Sequence, residues 1–179
     1  MSIVASLVKA MGGTIQARSK PGEGTTFTLR LSFAIAPEAV QKPEELPAGD
    51  IRGMRVLVVE DNALNLEIMQ CLLEDAGAIV TVARDGAAAV EAVRSSPEGG
   101  FDAILMDIMM PVMDGLEASR QIRALPRPDV ANVPIIAMTA NAFEEDRKRS
   151  AEAGMNDHLT KPLQPRLLMD TLAKYRKRP

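Results

Sequence analysis

From Arg55 to the C-terminus the sequence repeats one pattern five times: a short apolar run, then a longer stretch with apolar residues at helical spacing. The runs are residues 55–59 (RVLVV), 79–82 (IVTV), 101–106 (FDAILM), 134–138 (PIIAM) and 157–160 (DHLT). The spacing predicts helices near 62–76, 86–96, 114–125, 143–153 and 164–176. Connections of helical length imply parallel strands joined by right-handed crossovers, with helices on both faces of the sheet. Near-continuous apolar runs such as VLVV and AILM agree, because strands buried on both faces need not alternate. The expected fold class is α/β, a doubly wound five-stranded parallel sheet. Among the common solutions, five strands favour the flavodoxin-like order 2-1-3-4-5.

The rest of the chain is smaller and different. Residues 37–50 (PEAVQKPEELPAGD) hold three prolines and five charged side chains without an apolar period, a linker signature. Three segments are therefore expected: 1–36, a linker over 37–50, and a main domain over 51–179. With 21 Lys plus Arg against 24 Asp plus Glu, the net charge of -3 has the wrong sign for a general nucleic-acid or membrane-surface binder. The single cysteine, Cys71, can form no internal disulfide. At helical spacing with Ile68, Leu72 and Asp75, it reads as a half-buried packing residue. With no signal-like segment and no apolar span of ~20 residues, a cytoplasmic chain is expected. The basic end, Lys174, Arg176, Lys177 and Arg178, reads as the cap of a last helix.

In such a sheet, ligands bind outside the carboxyl ends of the strands, at the crevice where the winding reverses. The first strand ends in Glu60-Asp61-Asn62 and the third in Asp107, so three carboxylates converge there. Close acids repel unless a cation holds them, and a hard divalent ion, Mg2+, suits an oxygen ligand set. The fourth strand ends in Thr139 and the fifth leads into Lys161-Pro162. A hydroxyl, an ammonium and a metal around one carboxylate make a phosphoryl-binding pocket. Each residue has an ordinary explanation by itself: Asp61 or Asn62 as a helix N-cap, Asp107 in a solvated loop, Thr139 as a strand residue, Lys161 as surface. Their joint occurrence at one end of successive strands argues against four coincidences.

These residues carry a resemblance. MRVLVVEDNALN, FDAILMDIMMPVMDG, PIIAMTAN and GMNDHLTKP, in that order, resemble a response-regulator receiver domain over residues 54 to about 176. The resemblance implies Asp107 as phosphoacceptor, Glu60, Asp61 and Asp107 with the Met109 backbone carbonyl as Mg2+ ligands, and Thr139 and Lys161 as the hydroxyl and amine that sense the phosphoryl group. It implies a cis Lys161-Pro162 peptide and a switch in which the ring three residues before the lysine follows Thr139. That ring is His158, where the family typically has Tyr or Phe. Met109 and Asn141, flanking the expected water path, would tune dephosphorylation.

Residues 2–33 resemble the last helix and two strands of a histidine-kinase ATP-binding domain, with a Gly12-Gly13 helix stop and a turn at Lys20-Pro21-Gly22-Glu23-Gly24. That family's nucleotide-binding boxes and phosphorylated histidine region are missing, so the chain is not expected to phosphorylate itself from ATP. The order of segments resembles a piece of a hybrid sensor histidine kinase. A receiver of this kind catalyses its own phosphorylation and dephosphorylation, while protein-histidine kinase activity would belong to the parent. The partners implied are a histidine kinase or a histidine phosphotransfer domain, with no nucleic acid and no direct membrane contact. The exposed edge of the N-terminal hairpin offers itself to the receiver or to a second copy, as a homodimer. Two alternatives differ in class: a receiver-like interaction module that takes no phosphate, and an aspartate-nucleophile phosphohydrolase. The latter commonly has a second Asp two residues past its nucleophile, where this chain has Met109.

Overall fold

A computed structural model of the chain describes residues 3–22, 24–33, 49–140 and 144–176. It divides into two units, Met1–Glu45 and Leu46–Pro179. In the first, helix α1 (Ile3–Ala10) stops where Gly12 takes a φ of 71°, a left-handed turn that glycine adopts without strain. Strands β1 (Thr14–Lys20) and β2 (Gly24–Arg30) follow as an antiparallel hairpin, in register from Thr14 opposite Arg30 to Lys20 opposite Gly24. Val8 of α1 is buried, whereas Val4, Leu7, Met11, Phe27 and Leu29 are exposed. Most of the predicted linker lies outside the described residues, as do Asn141, Lys177 and Arg178.

The second unit is a five-stranded parallel sheet flanked by helices. In chain order come β3 (Arg55–Val59), α2 (Ala63–Asp75), β4 (Ile79–Ala83), α3 (Gly86–Ser95), β5 (Ala103–Asp107), α4 (Gly115–Arg123), β6 (Ile135–Thr139), α5 (Glu144–Glu152), β7 (Asp157–Thr160) and α6 (Pro165–Lys174). The sheet order is β4-β3-β5-β6-β7, which is the expected 2-1-3-4-5 counted along this unit. Side chains alternate across the sheet and feed two cores. Leu57, Ile104 and Met106 pack with Val90 and Val93 of α3 and Leu116 and Ile122 of α4. Val56, Val58 and Leu105 pack on the other face with Leu66, Met69 and Leu73 of α2 and Leu168 and Leu172 of α6.

The helix starts follow from local chemistry. Asn62 caps α2, its Oδ1 accepting from the backbone N–H of Leu64 and Asn65; Asp85 caps α3 and Asp114 caps α4 in the same way. Arg176, just past α6, pairs with the Asp50 carboxylate and donates to the Asp50 and Arg52 carbonyls, tying the two ends of this unit together. Lys174 reaches Asp157 at 3.4 Å.

Three expectations need correction. Burial on both faces holds for β3, β5 and β6 but not for the edge strand β4, whose Ile79 and Val82 are exposed because no further strand or helix covers them among the described residues. The third strand starts at Ala103 rather than Phe101, since the Asp102 side chain instead accepts from the Arg55 N–H and guanidinium. Cys71 is exposed rather than half-buried: the buried stripe of α2 runs through Leu66, Met69 and Leu73, and a residue two positions past Met69 points away from it. No helix among the described residues is long and apolar enough to cross a membrane.

Candidate functional site

At the carboxyl end of the sheet, β3 delivers Glu60 and Asp61, and β5 delivers Asp107 on the neighbouring strand. Glu60 and Asp107 are buried and Asp61 is exposed. One carboxylate oxygen from each can be chosen so that all lie within 4.8 Å of one another. Lys161, just past β7, completes the group. Its Nζ donates to Glu60 Oε2 at 2.6 Å and to Asp107 Oδ2 at 2.7 Å. The Lys161–Pro162 peptide is cis.

Two further donors hold the acids. Asn65 Nδ2 donates to Glu60 Oε1 at 2.9 Å, and the Met109 backbone N–H donates to Asp107 Oδ1 at 3.2 Å. Sequence reasoning missed Asn65, because an amide on the first turn of a helix carries no signal of its own. Its position six residues past the Val59 strand end, three after the Asn62 cap, is the feature that could have marked it.

Three carboxylates against one ammonium leave the cluster with two formal negative charges in excess. Burial pushes the Asp107 carboxyl above the usual carboxylate range, opposed by hydrogen bonding and attraction from Lys161. Burial pulls the Lys161 ammonium down, but its bonds to Asp107 and Glu60 outweigh this and hold it above its ordinary value. The donor set is hard oxygen at close range with an excess of two negative charges, which fits a divalent cation such as Mg2+.

The loop after Asp107 is tightly built. A Cβ on Gly115 would meet the Asp107 carbonyl oxygen at 2.1 Å, so only glycine lets α4 start this close to the acid. Val112 takes a φ of 69°, uncommon and strained for a β-branched residue, and is 89% exposed. Met109 is 79% exposed and lines an adjoining cleft with Ile108, Asp114, Thr139 and Ala140. Thr139, nearly buried at the end of β6, thus opens onto the same end of the sheet as Asp107. His158 is elsewhere: it pairs in register with Ala137 and lines a separate cleft against α5.

Comparison with known proteins agrees with this geometry. The family model for the response regulator receiver domain matches residues 56–173. The sensor protein GacS of Pseudomonas syringae pv. syringae is 40% identical over 161 residues, covering 89% of this chain and 17% of that protein. The aerobic respiration control sensor protein ArcB of Escherichia coli (strain K12) is 35% identical over 176 residues, 98% of this chain and 22% of that protein. The chain thus spans about a fifth of these relatives. Among solved structures, the receiver domain of sensor histidine kinase PA1611 from Pseudomonas aeruginosa PAO1, with a magnesium ion coordinated in its active site cleft, aligns with a TM-score of 0.62 and 41% identity over 69% of this chain and 97% of that one. The receiver domain of the Saccharomyces cerevisiae response regulator Ssk1, co-crystallised with the histidine phosphotransfer protein Ypd1, aligns with a TM-score of 0.63 and 32% identity over 69% of this chain and 89% of that one. With the sheet order, the strand-end acids and the matched residues in agreement, this chain belongs to the response regulator receiver domain family of two-component signal transduction.

Proposed function

We propose that the chain accepts a phosphoryl group from a partner's phosphohistidine onto Asp107. The observation that carries this reading is the buried Asp107 carboxylate, ion-paired to Lys161 and grouped with Glu60 and Asp61 at a strand end. One Asp107 oxygen attacks phosphorus in line, the P–N bond breaks, and the departing imidazole takes up a proton. Lys161 then transfers its hydrogen bond from the carboxylate to a phosphoryl oxygen. Glu60, Asp61 and Asp107, with the Met109 carbonyl, would hold Mg2+, which when bound offsets charge on the phosphoryl oxygens. Thr139 turns toward the new oxygens and the His158 ring takes up the space it leaves, so the face of β6, β7 and α5 changes shape. Met109 and Asn141 set how readily water reaches the acyl phosphate.

The partner in this reading is a histidine kinase or a histidine phosphotransfer domain. The likeness to the Ssk1 receiver supports it, since that domain is seen with Ypd1. Residues 1–36 are the end of a histidine-kinase ATP-binding domain, 37–50 a linker and 51–179 the receiver, in line with the sensor kinases among the relatives. Intact-mass analysis after incubation with acetyl phosphate and Mg2+ tests the central step. One labile phosphoryl adduct is expected, absent without Mg2+ and in Asp107→Asn. An adduct that persists in that variant places the acceptor elsewhere, and none in a folded, Mg2+-binding wild type favours the interaction module.

A further inference from the structure

His158 is the only imidazole in the chain, and its setting is unusual for a group that titrates near neutrality. Strand alternation puts it on the face opposite Leu159, beside Ala137 of β6. Its Nε2 is buried with no hydrogen-bond partner among the described residues. A buried polar nitrogen normally finds a partner, so this one marks a place built for something besides static packing. Protonation would set a charged donor beside no acceptor.

The charged groups around the ring come from two elements. Helix α5 supplies Glu144, Glu145, Arg147 and Lys148, all exposed, around the cleft that His158 lines. Strand β7 supplies Asp157, which is already engaged by Lys174 of α6 and the Tyr175 hydroxyl. Neighbouring β6 offers only the methyl of Ala137 in register. Burial, reinforced by the Arg147 cation and opposed by Asp157, holds the imidazole below its ordinary value. Outside the buried position, an imidazolium meets the two exposed carboxylates of the cleft, Glu144 and Glu145. The helix that forms this wall is lightly anchored, with Ser150 its only buried residue.

We propose that His158 is a proton-controlled latch on the β6–β7–α5 face: neutral, its ring keeps the buried position; protonated, it turns out toward Glu144 and Glu145. The link to signalling rests on the phosphoacceptor reading above. Strand β7 continues into Lys161 and β6 ends in Thr139, so a movement of the ring on this face is coupled to the ends of both strands. Phosphorylation draws the already buried ring further inward, so acid opposes the phosphorylated form, and by reciprocity phosphorylation holds the imidazole further toward neutrality.

Because no second histidine overlaps it, the imidazole of the whole chain can be titrated directly by NMR, at rest and under excess acetyl phosphate with Mg2+. The expected result is a resting midpoint below the usual value of about 6.5, and a further downward shift on phosphorylation. Backbone amides of β7 and α5 should follow the same midpoint and lose that transition in His158→Phe and in His158→Gln, whichever of these folds. An ordinary resting midpoint overturns the latch, as does amide titration that survives in the variants. A midpoint indifferent to phosphorylation, in a chain that mass analysis shows to carry phosphate, overturns the coupling. No adduct at all counts against the phosphoacceptor reading, and the resting titration then decides the latch alone.

Discussion

Strands β3, β5 and β6 bury every residue except Arg55, whereas the hairpin β1–β2 buries none of its described side chains. Both are ordinary extended backbone, and the difference lies in what covers them. Each central strand of the receiver has helices on both faces, so its side chains feed two cores at once. The hairpin has α1 packed on β1 and leaves Phe27 64% and Leu29 48% exposed. A two-stranded sheet with that exposure has little burial to hold it. The lesson is that the receiver carries its own stabilisation, while the N-terminal unit has apolar surface in excess of what it covers.

The largest expected effect breaks or confirms this contrast. Leu105→Ala, in the middle of β5, should cost about 2–5 kcal/mol in urea unfolding of the receiver, while Leu29→Ala on the hairpin should shift that transition by less than about 0.5 kcal/mol. Equal shifts would end the comparison. Next comes Gly115→Ala: its new methyl has nowhere to go but into the Asp107 carbonyl, so a loss of about 1–3 kcal/mol is expected, with weaker Mg2+ binding by calorimetry as the acid is displaced. Asn62→Ala should cost about 1 kcal/mol of receiver stability, and a melt unchanged within error would show that α2 is held by its packing alone.

The pH response sharpens the contrast from the polar side. Asp107 has a raised carboxyl in the folded state, so between the ordinary carboxylate value and that raised one the native chain binds more protons than the unfolded chain. Metal-free stability should therefore rise as pH falls through this window, and Mg2+ affinity should fall, since the same proton competes. Asp107→Asn should flatten the stability trend in chemical denaturation followed across pH. A trend of the same slope in the variant would assign it to another group.

Much of this is legible in the amino-acid sequence. The strand order was the one that five strands favour among the common solutions, and the grouping of Glu60, Asp61, Asp107 and Lys161 followed from their common position just past apolar runs. What escaped were properties that depend on neighbours rather than on pattern. Ile79 and Val82 read as core until an edge position exposes them, and Cys71 sits among apolar residues in sequence but off the stripe that Leu66, Met69 and Leu73 define. The orphan nitrogen of His158 could not be foreseen, because hydrogen-bond satisfaction depends on what the folded chain brings near it. Asp102 and Arg127 were likewise silent: each fastens distant backbone, Asp102 the start of β3 and Arg127 the carbonyls of Val93, Ser96 and Pro97.

Lys161 touches an acid 101 residues before it and another 54 residues before it. No stretch of the polypeptide shorter than almost the whole receiver can bring these three side chains to one point. A nascent or half-melted receiver therefore lacks the assembled cluster, and the meeting of these three side chains is a readout of completed folding. The topology itself withholds that grouping until the last strand, β7, is in place to present Lys161.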